Sequence, residues 1–256
     1  MTDRMGELAL RHPRYGYRRI TALLRRDGWR VNRKRVHRLW RREGLKVVQK
    51  QRKKPRLIDG SRDNACHRRR AERANHVWSV DFVHDRTAGG GPLKILSVID
   101  EYTRECLAIE ARRHVTGADV IALLKALMGL HGVPGHVRCD NGPEFIGRAI
   151  RRGLAESGVS TLYVAPASPW ENGYVESYHA RLRDELLDRE QFGSVYEARA
   201  LLEAWREQYN QERPHSALGY LAPAAFAAAC GRADPCSATL RKARHDEEDV
   251  LASVAQ

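Results

Sequence analysis

The sequence predicts an α/β protein: a mixed five-stranded sheet flanked by helices, preceded by a small all-α helix-turn-helix unit. Three observations carry this expectation. From Trp78 onward, short apolar and β-branched runs alternate with longer runs of helical period. Ahead of them, residues 15–45 carry apolar side chains at three-to-four spacing around a glycine-containing break. The charge divides along the chain in the same way: residues 1–73 hold 25 Lys+Arg against 7 Asp+Glu, and the remainder holds 20 against 25.

In the front segment, Ile20, Leu23 and Leu24 mark one apolar stripe, and Val36, Leu39 and Trp40 mark a second. Between them Gly28 takes the turn and Asn32 caps the second helix; Gly44 stops it. The second helix carries Arg33, Lys34, Arg35, Arg38, Arg41 and Arg42, side chains suited to a groove and a phosphate backbone. Residues 1–45 are therefore expected to bind DNA; a helical hairpin with a solvated basic face is the plainer alternative. Residues 46–75 lose the periodicity and read as a basic linker, mobile until DNA neutralises it.

The core elements follow in order. WSVDFVHD (78–85), LKILSVID (93–100) and CLAIEAR (106–112) are expected as an antiparallel meander. A helix at 120–132, a strand at 136–141, a helix at 145–157, a strand at 161–166 and a long helix at 171–190 come next. The order β-β-β-α-β-α-β-α matches the ribonuclease H-like fold, which by itself assigns no function. A further amphipathic helix begins at 196, with Leu201, Leu202, Trp205 and Tyr209, and runs into a turn-rich Arg213-Pro214-His215 segment. The core and this helical extension are expected over 76–229, leaving 230–256 as a tail of unknown role.

Composition narrows the class. At 42% hydrophobic and 30% charged, the 256 residues read as a soluble globular protein. No apolar run approaches the roughly 20 residues that span a bilayer, and the N-terminus lacks the apolar core of a secretory signal. Five cysteines form no CxxC pair, so reduced thiols and a cytoplasmic location are expected. The net charge of +13, concentrated at the front, points to nucleic acid.

Breaking a phosphodiester requires a nucleophile and charge stabilisation on the leaving oxygen. Two magnesium ions about 3.5–4 Å apart, held by hard carboxylate oxygens, supply both. Three acids stand where such ligands would. Asp81 lies inside an apolar strand, where an unpaired carboxylate is costly. Asp140 ends a short strand before the turn Asn141-Gly142. Glu176 lies inside the long final helix, with Arg183 on its face as a phosphate clamp. Each has a plain reading as a turn residue, a buried ion-pair partner or a surface acid. Asp85, on the same strand face as Asp81, is the strongest rival, followed by Glu144, Glu171, Asp184 and Glu185.

The spacing leaves 58 residues between Asp81 and Asp140 and 35 between Asp140 and Glu176. The second interval resembles the D,D(35)E signature of retroviral integrases and related transposases. The words WSVDFV, CDNGPEF, SPWENGYVES, RDELLD and YNQERPHSALGYLAPAAF resemble the second-reading-frame product of the insertion-sequence-three family, over about residues 14–227. The resemblance implies an integrase-type ribonuclease H-like core that cuts and rejoins DNA, with Asp81, Asp140 and Glu176 binding two Mg²⁺ (or Mn²⁺) ions. It implies that Asn141 and Gly142 shape the loop behind the second acid, and that Asn172 and Arg183 position DNA. It also implies partners: double-stranded element ends and target DNA, a first-frame product or its frameshift fusion, and an oligomer on DNA. The His/His/Cys/Cys module of retroviral integrases has no counterpart in the spacing, so no structural zinc is expected. Brought together, the acids should repel and raise at least one pKa. The competing functions are a non-catalytic DNA-binding regulator or decayed element copy, and a ribonuclease H-type nuclease.

Overall fold

In the computed structural model, which describes residues 1–47, 69–140, 142–163 and 173–231, five strands form one mixed sheet. They are β1 (Val77–Arg86), β2 (Pro92–Asp100), β3 (Cys106–Arg112), β4 (His136–Cys139) and β5 (Ser160–Tyr163), in the order β3-β2-β1-β4-β5. The meander is antiparallel, whereas β4 and β5 run parallel to β1. Strand alternation divides the core into two layers. Trp78 and Val80 of β1, with Leu96 and Val98 of β2, pack against α4 (Gly117–His131), α5 (Pro143–Ile146) and α6 (Arg148–Glu156). Val83, Ile95 and Ile99 face the other way, against α7 (Gly173–Leu182) and α8 (Val195–Gln211).

Several element ends differ from expectation, each for a local reason. α4 starts three residues early because Thr116 and Asp119 form a capping box. The helix expected at 145–157 is two pieces, broken where Gly147 is extended at φ −57°, ψ 143°. The strand expected at 136–141 stops at Cys139. The helix expected at 171–190 changes pitch: α7 gives way to a π turn over Arg183–Leu187. That wider turn buries both Leu186 and Leu187 behind Leu182 and aims Glu185 at the C-terminal segment.

The front of the chain holds three helices rather than two: α1 (Thr2–Arg11), α2 (Tyr17–Arg26) and α3 (Arg33–Arg42). Met5 and Leu8 of α1 close over Ile20, Leu23 and Leu24 of α2 and Val36 and Trp40 of α3. Gly28 turns the chain at φ +90°, and the Asn32 side chain accepts the Arg35 N–H at 2.7 Å, capping α3. Of the linker expected at 46–75, residues 48–68 lie outside the described residues. Its last residues are joined to the core: Asn75 N–H donates to Asp100 at 2.7 Å, and the Arg69 carbonyl accepts from Arg138 at 2.7 Å.

The helical front end also contacts the far end of the chain. Arg11 pairs with Glu212 at 3.1 Å and Arg14 with Asp184 at 3.5 Å. Beneath them Arg213, 1% exposed, binds Glu185 and lies 5.8 Å from the Tyr15 ring centre. α9 (Pro223–Gly231) follows, and its Phe226 ring lies tilted 5.8 Å from the Tyr102 ring centre. No described helix is long and apolar enough to cross a membrane.

Candidate active site

The ladder between β1 and β4 sets two of the three acids side by side. Ser79 lies opposite Arg138 in the parallel register. The ladder ends there; carried two residues further, the same register brings Asp140, just past the end of β4, level with Asp81, and neighbouring strands lie about 4.8 Å apart. Asp81 shares the strand face of Val83, which packs on the α7 side. α7 supplies the third acid. Its stripe of Val175, Tyr178 and Leu182 is buried in the core, and the 3.6 period turns Glu176, His179 and Arg183 to the flank beside β1. His179 Nδ1 comes within 3.7 Å of Asp81 Oδ2.

Asp81 is the most enclosed of the three, with its side chain 21% exposed, while Asp140 and Glu176 are open to solvent. Its pKa is pushed up to about 6, first by burial and further by the charges of Asp140 and Glu176; the Phe82 N–H bonded to its carboxylate at 2.7 Å opposes the shift. The repulsion expected from the spacing is present, but burial is the larger cause. His179 is pushed down to about 4 by burial and by Arg183. At neutral pH its ring is therefore uncharged, and the 3.7 Å approach to Asp81 is not an ion pair. Its buried Nε2 has no hydrogen-bond partner among the described residues.

Gly142 has a visible task. Its N–H donates to Asp140 Oδ1 at 2.9 Å, and a Cβ there would meet that same oxygen at 3.0 Å. Arg183 opens the π turn at the rim, exposed, with Nη2 3.5 Å from the His84 carbonyl. Asn141, Asn172 and Glu171 lie outside the described residues. The rival acids have other work. Asp85 accepts its neighbour Arg86 N–H at 2.8 Å and is not among the charges acting on Asp81. Asp184 pairs with Arg14 and Glu185 with Arg213. Glu144 is held by Lys94, whose ammonium lies 4.2 Å from the Phe82 ring centre.

Two features beside the site escape the sequence reading. One is His179, a histidine buried against an acid from another element. The other is a buried polar cluster one row below the acids: Glu101 Oε1 accepts from Ser79 at 2.5 Å and from Arg138 at 2.7 Å, bridging β1 and β4. An acid directly following a strand as apolar as β2 is the only local signal for it.

The donor chemistry of the three acids, carboxylate oxygens from three elements, suits a hard divalent cation. Among the described residues no three His, Cys, Asp or Glu side chains converge closely enough to form a ready cage. On α3, Arg33, Lys34, Arg35, Arg38, Arg41 and Arg42 are all exposed while Val36 and Trp40 are buried. Lys34, His37, Arg38 and Arg41 line one shallow concavity.

Comparison with known proteins finds matches to both the core and the front helices. The Integrase core domain family matches residues 71–169 and 157–223, and the HTH-like domain family matches residues 2–53. An uncharacterized 31.7 kDa protein of insertion element IS407 from Burkholderia multivorans is 38% identical, over 89% of this chain and 80% of that one. An uncharacterized 39.2 kDa protein of insertion element IS476 from Xanthomonas euvesicatoria is 40% identical over 89% of this chain, which spans 64% of that longer protein. The transposase InsD of insertion element IS2 from Escherichia coli is 29% identical, over 86% of this chain and 74% of that one. Among solved structures, a chain of the simian T-cell lymphotropic virus intasome superposes with a TM-score of 0.50 at 16% identity, over 82% of this chain and 70% of that chain. At that identity the likeness concerns the fold.

Proposed function

This chain belongs to the insertion-element transposase family built on an integrase core, and from that premise we propose that it cuts and rejoins DNA strands through Asp81, Asp140 and Glu176. The observation that carries the reading is the β1–β4 register, which sets Asp81 beside Asp140 under the flank of α7 that bears Glu176. The Asp81 pKa, raised first by burial, is raised further by the charges of Asp140 and Glu176, which supports a common site.

The three carboxylates would hold divalent cations, Mg²⁺ or Mn²⁺ and in all two of them. Bound there, such ions supply charge neutralisation on the phosphate and activation of the attacking oxygen. The chain's own contributions are positional. The Gly142 N–H fixes the rotamer of Asp140, and the Phe82 N–H keeps one oxygen of Asp81 oriented. Neutral His179 lies 3.7 Å from the second oxygen of Asp81 and adds no charge to it. Arg183 at the rim would contact the phosphate of an incoming strand, Asn141 and Gly142 would shape the loop behind Asp140, and Asn172 would position the DNA.

Residues 1–45 are read as the DNA-binding unit, with the Arg33–Arg42 helix on double-stranded element ends, and 76–229 as the catalytic core with its extension. An oligomer on DNA, and a first-frame product or its frameshift fusion, are the proposed partners. The test is strand transfer in vitro with labelled element ends and Mg²⁺ or Mn²⁺, using the chain alone and fused to its upstream frame. Metal-dependent joining that disappears in Glu176→Gln supports the assignment. DNA binding without chemistry in the fused protein, under both metals, refutes it in favour of a regulator.

A further inference from the structure

Away from the acids, α2, the start of α3 and the segment 211–225 enclose a cleft of about 1020 Å³. One wall presents Arg18, Arg25, Arg26 and Arg33, all exposed. Each meets a neutral partner. Arg18 donates to the Tyr17 hydroxyl at 3.3 Å, Arg25 to the Val31 carbonyl at 3.0 Å and Arg26 to the Glu212 carbonyl at 3.3 Å. The Arg33 guanidinium lies 5.9 Å from the Tyr220 ring centre. The one acid in the lining, Glu212, is bonded to Arg11 at 3.1 Å.

Four guanidinium groups drawn to one concavity, with no carboxylate partner among the described residues, repel one another, which favours entry of a polyanion. A guanidinium has five N–H donors, so these few neutral contacts, Tyr220 being a second partner of Arg18, leave donors for phosphate oxygens. On the opposite wall Ser216, Ala217 and Tyr220 are uncharged, and its acid, Glu212, is already bonded to Arg11. Arg33 belongs both to this cleft and to α3, whose Lys34, Arg38 and Arg41 form the adjacent basic concavity. The two surfaces therefore adjoin along α3, where Arg33 and Lys34 are neighbours.

We propose that this cleft holds the phosphodiester backbone of the DNA that α3 engages, making the C-terminal segment the second wall of a single DNA site. Arg18, Arg25, Arg26 and Arg33 pair with successive phosphates, and the Tyr220 ring packs against the strand they grip. The inference rests on the reading of the chain as a protein that acts on DNA. It adds residues outside the recognition helix, and a wall from the other end of the chain.

The test uses the full chain and a labelled mixed-sequence duplex, because phosphate contacts are independent of sequence. Acids placed on the C-terminal wall, in Ser216→Asp/Ala217→Glu, should lower affinity about tenfold at moderate salt while leaving the unfolding midpoint in place. In Arg18→Ala/Arg25→Ala the slope of log affinity against log salt should fall by about 0.9 for each arginine removed. If both variants bind as wild type while Arg38→Ala/Arg41→Ala loses affinity, the cleft is not a DNA site and the DNA reading stands. If wild type itself binds no duplex, both readings fall.

Discussion

Arg213 is the side chain whose removal should be felt furthest. It is 1% exposed and makes three bonds to Glu185, from Nε to both carboxylate oxygens at 3.1 Å and from Nη2 at 2.7 Å. A fourth contact joins Nη1 to His215 Nε2 at 3.2 Å. Arg213→Ala would leave Glu185, 11% exposed, as a carboxylate stripped of water and of its partner. Breaking one side of a buried pair costs about 3–5 kcal/mol. At roughly 2–4 °C per kcal/mol for a chain of this size, the melting midpoint should fall by about 6–20 °C. The assay is thermal and urea unfolding without DNA. The double variant Arg213→Met/Glu185→Leu should recover most of the loss, because the carboxylate that needed a partner is gone. Arg213→Ala that unfolds like wild type yet binds DNA poorly would refute this reasoning and make Arg213 a DNA contact.

Three further outcomes are expected. Gly142→Ala should cut metal-dependent strand transfer sharply with little change in unfolding, since its Cβ would meet Asp140 Oδ1 at 3.0 Å; wild-type activity would sink the idea that this glycine seats the second acid. Asp81, an acid with a folded-state pKa pushed up to about 6, binds protons more readily folded than unfolded. Its effect on stability is therefore favourable at low pH and lost as pH rises from about 4 to 6, by roughly 1–3 kcal/mol. Asp81→Asn should then match wild type near pH 4 and exceed it at pH 7 in urea titrations; equal stability at both would contradict the assigned burial. Asn32→Ala should cost about 1 kcal/mol by uncapping α3 and weaken duplex binding, whereas a variant with unchanged stability would mean that the cap is idle.

What was legible in the sequence was what local periodicity encodes. β1 to β3 alternate two buried faces, so Trp78, Val80 and Val83 announce a strand without any partner in view. α1 escaped because only Met5 and Leu8 anchor it, too few for a periodic signal. The π turn escaped because Arg183–Leu187 has helical composition; its pitch follows from the need to bury Leu186 and Leu187 and to reach Arg213. Of the three acids only Asp81 stands where a carboxylate is locally odd, inside an apolar strand; Asp140 and Glu176 were singled out by their spacing and by the family resemblance. Their neighbours were not. His179 beside Asp81, Lys94 on Glu144 and Arg138 on Glu101 are pairings set by the sheet register and helix packing, at separations no spacing rule reaches.

The word YNQERPHSALGY, tied at first only to a family resemblance, acquires a physical account at the seam between the front helices and the core. Asn210 accepts the Cys106 N–H at 2.9 Å and donates to the Cys106 carbonyl at 2.9 Å, closing the end of β3 onto α8. Arg213 is buried against Glu185, and the half-buried His215 ring packs edge-on against the Tyr209 ring. Glu185 lies two turns beyond Glu176 in the helix that α7 begins. The same word meets the front helices through Glu212 on Arg11 and through Arg213 under Tyr15. It therefore braces α7, and with it the third acid, against the helices that carry the basic face. A movement of the front helices when DNA binds would pull on the π turn before reaching Glu176. The double variant Arg213→Met/Glu185→Leu, stable but without that ionic link, separates the bracing from the folding. If the link matters for catalysis, strand transfer falls while duplex affinity holds; undiminished transfer would leave the seam a purely structural joint.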